Sequence, residues 1–146
     1  MAEFKYAKGR IVESLQFIAG ELKEFDQEYS SKTWTDYQND KKIQKLIDRT
    51  IENVLTALIE VCGTILTQQN IAVENYAQVL SECAKKFGFS AQEQEAFSKL
   101  ALQRNRLAHR YLNFRWQAVV MFKEQRTLIN KILAKIMEYE EGKQPL

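Results

Sequence analysis

The sequence predicts an all-α fold, an up-and-down bundle of four to five antiparallel helices in a single domain spanning residues 1–146. Three observations lead there. Apolar residues recur at spacings of three and four along most of the chain, the period of one helix face. One proline and five glycines leave too few turn signals for the many strands of a β fold. A chain of 146 residues, 45% of them hydrophobic, fills one core and is too short for two.

The first helix is expected over residues 4–28, where Ile11, Leu15, Ile18, Leu22 and Phe25 make one apolar stripe. Residues 29–39, with Ser30, Ser31, Thr33 and Thr35, read as a connection whose Trp34 and Tyr37 fold back onto the core. From Asp40 a central helix follows. Ile43, Leu46, Ile47, Thr50, Ile51, Val54, Leu55, Leu58, Ile59, Cys62, Ile65 and Leu66 keep helical spacing through it. After a break at Gln68, Gln69 and Asn70, a shorter helix turns Tyr76, Val79, Leu80, Cys83 and Phe87 inward. Gly88 ends it, being free to take the left-handed conformation after a last turn that carries Lys85 and Lys86.

Ser90 and Glu93 have capping-box spacing, so a fourth helix starts there and runs through Phe97, Leu100 and Ala101 toward His109. A fifth begins near Asn113 or Phe114 and continues past Trp116, Val119, Val120, Leu128, Ile132, Leu133 and Ile136 to Tyr139. Residues 140–146 read as a polar tail. Cys62 and Cys83 have no CxxC partner and no second histidine for a metal site, so both are expected as reduced, buried thiols. The first residues lack a signal-peptide core and no run approaches the ~20 apolar residues of a membrane span, so a soluble cytoplasmic protein without membrane contact is expected.

Charge is unevenly spread. The chain has a net charge of only +2, yet residues 99–126 carry seven basic side chains against Glu124 alone, which leaves the remainder net acidic. A positive field focused on one segment suits a phosphate-bearing partner at that spot. The only histidine of the chain, His109, lies inside it, in the run Arg104-Asn105-Arg106-Leu107-Ala108-His109-Arg110-Tyr111. Imidazole is the side chain that moves protons near neutral pH without special tuning, so His109 is the first candidate for acid–base chemistry. A histidine at a helix end can also serve only to cap the last carbonyls.

Helical geometry constrains the run. Positions five apart on a helix diverge by about 140°, whereas positions four apart share a face, so Asn105 rather than Arg104 is expected beside His109. Three arrangements would bring Arg104 and His109 together: a long arginine reaching around, a helix that loosens before His109, or a site assembled from two subunits.

The spacing Arg104, four residues, His109, one residue, Tyr111, at the end of the fourth helix of an all-helical chain, resembles the HEPN superfamily and within it the HepT-like toxin ribonucleases. Asn105 directly after the arginine, and the long helix that carries Arg49, are similar too. The resemblance implies a metal-independent, cofactor-free endoribonuclease of a type II toxin–antitoxin pair. It implies a homodimer with two motifs facing one cleft, which favours the two-subunit arrangement. His109 then serves as acid and base, Arg104 stabilises the phosphorane, and Asn105 orients the imidazole. Tyr111 corresponds to the tyrosine to which a cognate nucleotidyltransferase antitoxin of MNT type attaches AMP. Arg106, Arg110 and Arg115 are assigned to the RNA backbone. A second reading is a non-catalytic HEPN helper that binds nucleotide or substrate for a small nucleotidyltransferase, and a third is a helical interaction adaptor in which the motif is accidental.

Overall fold

The computed structural model describes residues 10–142. These contain seven α-helices and no strand: α1 (Ile11–Glu24), α2 (Trp34–Asn39), α3 (Lys41–Gln68), α4 (Tyr76–Lys86), α5 (Ala91–Leu107), α6 (Leu112–Glu124) and α7 (Arg126–Glu141). The expected start of the first helix and the last residues of the expected tail lie outside the described residues.

The core is built around α3. Sixteen of its 28 residues are buried, from Gln44 to Leu66. It is long and apolar enough to cross a membrane by length and composition, but 72% of its most apolar stretch is enclosed by the other helices. Its N-terminus is capped by Asp40, whose carboxylate accepts from the Lys42 and Ile43 amides. Three threonines on this helix hydrogen-bond their own i−4 carbonyls: Thr50 to Leu46, Thr64 to Glu60 and Thr67 to Gly63. A hydroxyl satisfied in this way can be carried into an apolar interior. Of the expected inward positions, Leu46 is 39% exposed and is corrected to a surface residue.

Against α3 packs α1, with the expected stripe Ile11, Leu15, Ile18 and Leu22 buried. The chain then widens into a π-helical turn, Phe25–Tyr29, closed by the Ser30 amide donating to the Phe25 carbonyl. This keeps both Phe25 and Tyr29 buried, with Phe25 edge-on to Phe122 at 4.9 Å. The expected connection over residues 29–39 is corrected. A helix, α2, occupies its second half, started by a capping box between Thr33 and Asp36. The cap pulls the Asp36 carboxyl below the ordinary carboxylate range through its hydrogen bonds with Thr33. Tyr37 of α2 is fully buried and meets the α6 residue Trp116 at 5.0 Å, with Trp34 tilted against both rings.

Both α3 and α4 end in the same hydrogen-bond pattern, with a left-handed residue in the position after the cap. For α4 that residue is Gly88 at φ 84°, with Gly88 donating to Lys85 and Phe89 to Ala84. For α3 it is Asn70 at φ 58°, with Asn70 donating to Thr67 and Ile71 to Leu66. Cys62 and Cys83 meet inside the α3–α4 contact as free thiols, and burial pushes the Cys62 thiol well above its ordinary value. Tyr76, expected inward on α4, is corrected: it stands 44% exposed at the first turn.

The fifth expected helix is two helices. It breaks at Gln125, where there is neither proline nor glycine. The break coincides with two anchors pulling on either side. The Lys123 ammonium donates to the Lys32 carbonyl at 2.7 Å, and the Arg126 guanidinium grips Asp26 with two bonds of 3.0 and 2.8 Å. Burial lowers the Lys123 pKa. Helix α7 also runs through Glu140 and Glu141, which the expected tail had included.

One buried polar cluster joins α2, α3 and α6. The Tyr37 hydroxyl donates to Asp48 at 2.6 Å, and the Arg115 guanidinium pairs with the other oxygen of the same carboxylate at 2.9 Å. Gln44 donates to the Tyr37 carbonyl at 2.8 Å. Burial pushes the Asp48 carboxyl above the ordinary range against the pull of Tyr37 and Arg115. The same burial, with the Asp48 bond, drives the Tyr37 phenol far upward. Replacing Asp48 with Ala strands the guanidinium of Arg115 in this interior and is expected to cost about 3 kcal/mol, read as a lower urea midpoint at unchanged slope. Thiol reagents are expected to leave Cys62 and Cys83 untouched in native protein and to modify both on unfolding, as followed by mass.

Candidate functional site

Helix α5 carries the motif to its own end and stops short of the histidine. It closes at Leu107, and the His109 amide donates to the Arg106 carbonyl at 3.0 Å, a tightened last turn. His109 and Arg110 therefore lie in the connection to α6, whose N-cap is Tyr111. The helix ends before His109, but this alone does not bring Arg104 and His109 together.

In this turn the backbone amide of Tyr111 donates to His109 Nδ1 at 3.2 Å. An acceptor Nδ1 places the proton of the neutral ring on Nε2, so the imidazole presents a donor on its free side. Three rings converge. His109 is 4.8 Å from Tyr111 and 4.9 Å from Phe114, and the latter two are 5.9 Å apart at 83°. Arg110 lies over the Tyr111 ring at 5.2 Å and donates weakly to its hydroxyl at 3.4 Å.

On α5, Leu102, Asn105 and Arg106 are exposed on the side that leads to His109, spaced as one helix face. Arg106 is steadied by the Gln117 side-chain oxygen at 3.1 Å. Because the helix stops at Leu107, its register no longer relates Asn105 to His109, and no hydrogen bond joins the two among the described residues.

Arg104 belongs to another face. Its guanidinium lies over the Tyr76 ring at 5.3 Å, and its Nε is buried with no hydrogen-bond partner among the described residues. It lines a groove of about 620 Å³ between α1 and α3, beside Arg10, Phe17, Glu52 and Asn53. No hydrogen bond or ring contact joins Arg104 to His109 among the described residues. Within one protomer the two motif residues are thus not brought into contact.

Arg115 also departs from its expected place. It is the partner of Asp48, with only 20% of its side chain exposed, and so its charge is already matched inside the fold. Arg106 and Arg110 remain on the surface without an ion pair among the described residues. The sequence reading did not single out Phe114 for the site. Its only signal was proximity, three residues beyond Tyr111 and so one helical turn from it. Among the described residues no three His, Cys, Asp or Glu side chains gather where a metal ion could be held.

Fold and motif together define a class: an all-helical domain with an Arg-x4-His-x-Tyr sequence at the junction of two helices, in the HEPN superfamily. The family model described as ribonuclease HepT-like matches residues 18–137, and the chain belongs to that family. No curated protein matches the sequence.

Because His109 and Asn105 sit outside the core, changing either to Ala is expected to alter folding stability by less than about 1 kcal/mol. Arg115→Ala is expected to lower the melting temperature clearly, since it leaves the Asp48 carboxylate buried and unmatched. Thermal unfolding of the three variants side by side checks this separation.

Proposed function

We propose that this HepT-like protein is a metal-independent endoribonuclease, the toxin of a type II toxin–antitoxin pair acting in the cytoplasm. The observation that carries the reading is the chain's only histidine, held in an exposed turn beside Tyr111 in a basic segment of a HepT-like domain. In the reaction a ribose 2′-oxygen attacks the adjacent phosphorus and the bond to the 5′-oxygen breaks. The products are a cyclic phosphate and a 5′-hydroxyl. His109 takes the 2′ proton and returns it to the leaving oxygen. Both states of that cycle require Nδ1 to leave the Tyr111 amide or the ring to turn, because the held ring carries its proton on Nε2. Substrate entering the turn supplies the displacement.

Arg104 stabilises the charge on the phosphorane. Its position away from His109 within the protomer favours a site in which a homodimer sets the Arg104 of one copy beside the His109 of the other. Asn105, exposed on the last turns of α5, orients the imidazole. Arg106 and Arg110 hold the RNA backbone. A cognate nucleotidyltransferase antitoxin of the MNT type transfers AMP from adenosine triphosphate to the Tyr111 oxygen, which loses its proton as pyrophosphate departs. Its accessibility at 50% exposure suits that chemistry, and the added phosphate would occupy the same arginines.

One observation favours the second reading, a non-catalytic helper of a small nucleotidyltransferase. Arg104 faces a groove that also contains Glu13, Glu52 and Glu60, a setting of mixed charge unlike a phosphate site.

Cleavage of a mixed-sequence RNA in excess chelator separates the two. The parent protein and Tyr111→Phe are expected to cleave, with His109→Ala slower by about 10²–10⁴-fold and Arg104→Ala by about 10²–10³-fold. Incubated with the nucleotidyltransferase and adenosine triphosphate, the parent gains the mass of AMP and Tyr111→Phe does not. Absence of cleavage by parent protein of unmodified mass would overturn the ribonuclease reading and favour the helper reading.

A further inference from the structure

We propose that Tyr111 and Phe114, flanked by Arg106 and Arg110, form a stacking subsite for an unpaired nucleobase of RNA. The subsite rests on the ribonuclease reading and specifies its substrate, single-stranded rather than duplex.

Aromatic rings of this size are ordinarily sunk into a core. Here Tyr111 is 50% and Phe114 39% exposed, side by side at the start of α6. The fold holds them in place and leaves a large part of each in solvent. Tyr111 is the N-cap residue of α6, and both rings brace the imidazole from within 4.9 Å. Phe114 meets its two ring neighbours at steep angles, 66° and 83°, so neither lies flat on its face. A flat base can lie on such a ring, and every base has a π-face, so the contact tolerates any sequence. The guanidinium of Arg110 over Tyr111 extends the same surface, as a planar cation on which a base also stacks.

Charge selects the occupant. Residues 100–122 contain no carboxylate, and Arg106 and Arg110 have no ion-pair partner among the described residues. A homodimer that brings the Arg104 of one copy to the His109 of the other borders this patch, but a copy docked flat on it about a two-fold axis would set Arg106 and Arg110 against their own counterparts, and residues 100–122 supply no acid between them. An RNA strand brings a phosphate for each base, so one occupant satisfies both the rings and the cations. A duplex keeps its bases stacked inside and offers none to these rings. The base would then lie next to the Nε2 edge of His109, and its neighbouring phosphate within the field of Arg106 and Arg110.

The test uses a short single-stranded RNA that carries one 2-aminopurine and 2′-O-methyl groups, so that it binds without being cut. Parent protein, confirmed by mass to carry no adduct, is expected to quench the 2-aminopurine, and Phe114→Trp to do the same. Phe114→Leu keeps the apolar bulk without the ring and is expected to bind about tenfold more weakly. An end-labelled abasic strand of equal length is expected to bind all three proteins alike. Equal affinity of Phe114→Leu and parent for the 2-aminopurine strand overturns the subsite, as does a parent that does not distinguish base-bearing from abasic RNA. Sedimentation that finds the parent dimeric and Phe114→Leu monomeric assigns the face to a second copy and overturns it as well. If Phe114→Leu unfolds, photocrosslinking of 5-iodouridine RNA to the parent decides: adducts on Tyr111 or Phe114 sustain the subsite, and adducts only elsewhere overturn it. The same strand with free 2′-hydroxyls reads cleavage separately. Quenching without cleavage ends the ribonuclease reading and leaves the nucleobase site, whereas cleavage without quenching does the reverse.

Discussion

The Asp48–Arg115 ion pair is the interaction from which the position of the site follows. Asp48 lies on the core helix α3 and Arg115 in the first turn of α6, four residues after Tyr111. A charge pair with side chains only 12% and 20% exposed tolerates little displacement, because separating the partners would leave each charge in a poor solvent. Tyr37 binds α2 to the same carboxylate, and Gln44 of α3 donates to the Tyr37 carbonyl. The start of α6 is therefore held against α3, and the turn before it, with His109, faces outward. The candidate site lies on an exposed turn, and a buried anchor four residues beyond Tyr111 fixes the helix that follows it.

That anchor also explains the division of labour among the arginines. Four of them lie within twelve residues of sequence and look interchangeable in a charge count. In space they differ. Arg115 is committed to the fold, Arg104 lies over Tyr76 in a groove lined by acids and bases, and Arg106 and Arg110 stay with the rings at the turn. Guanidinium is planar, always charged and able to stack, so one residue type fills all three roles. The neighbours select the role, and those neighbours come from elements distant in the sequence.

Helix ends were legible where a local rule decides them. Asp40, Ser90 and Gly88 act through their own backbone neighbours, and each stands where the sequence places it. The inward stripe of α1 is equally local, since a period of 3.6 needs no partner to be read. The misreadings occur where contacts across the chain prevail. Thr33 and Asp36 form a capping box inside a segment rich in polar residues, and the helix they start is secured by burying Tyr37. At Gln125 no residue breaks helices by nature, and the interruption accompanies bonds from Lys123 to Lys32 and from Arg126 to Asp26. Tyr76 and Leu46 have the side chains of core residues but stand partly in solvent, Tyr76 under the Arg104 guanidinium.

The sequence by itself determined the all-helical class, the long core helix, the reduced thiols and the motif with its one histidine, because periodicity, capping and residue chemistry act over a few neighbouring positions. It also determined that Arg104 and His109 would diverge on an ideal helix. Only the tertiary structure decided that α5 ends two residues before His109, that the Tyr111 amide holds the imidazole through Nδ1, that Arg115 serves the core, and that Phe114 stands beside the site. These features depend on which surfaces meet and which remain uncovered. That is set by packing around α3 over separations such as the 67 positions between Asp48 and Arg115, and no local pattern records it.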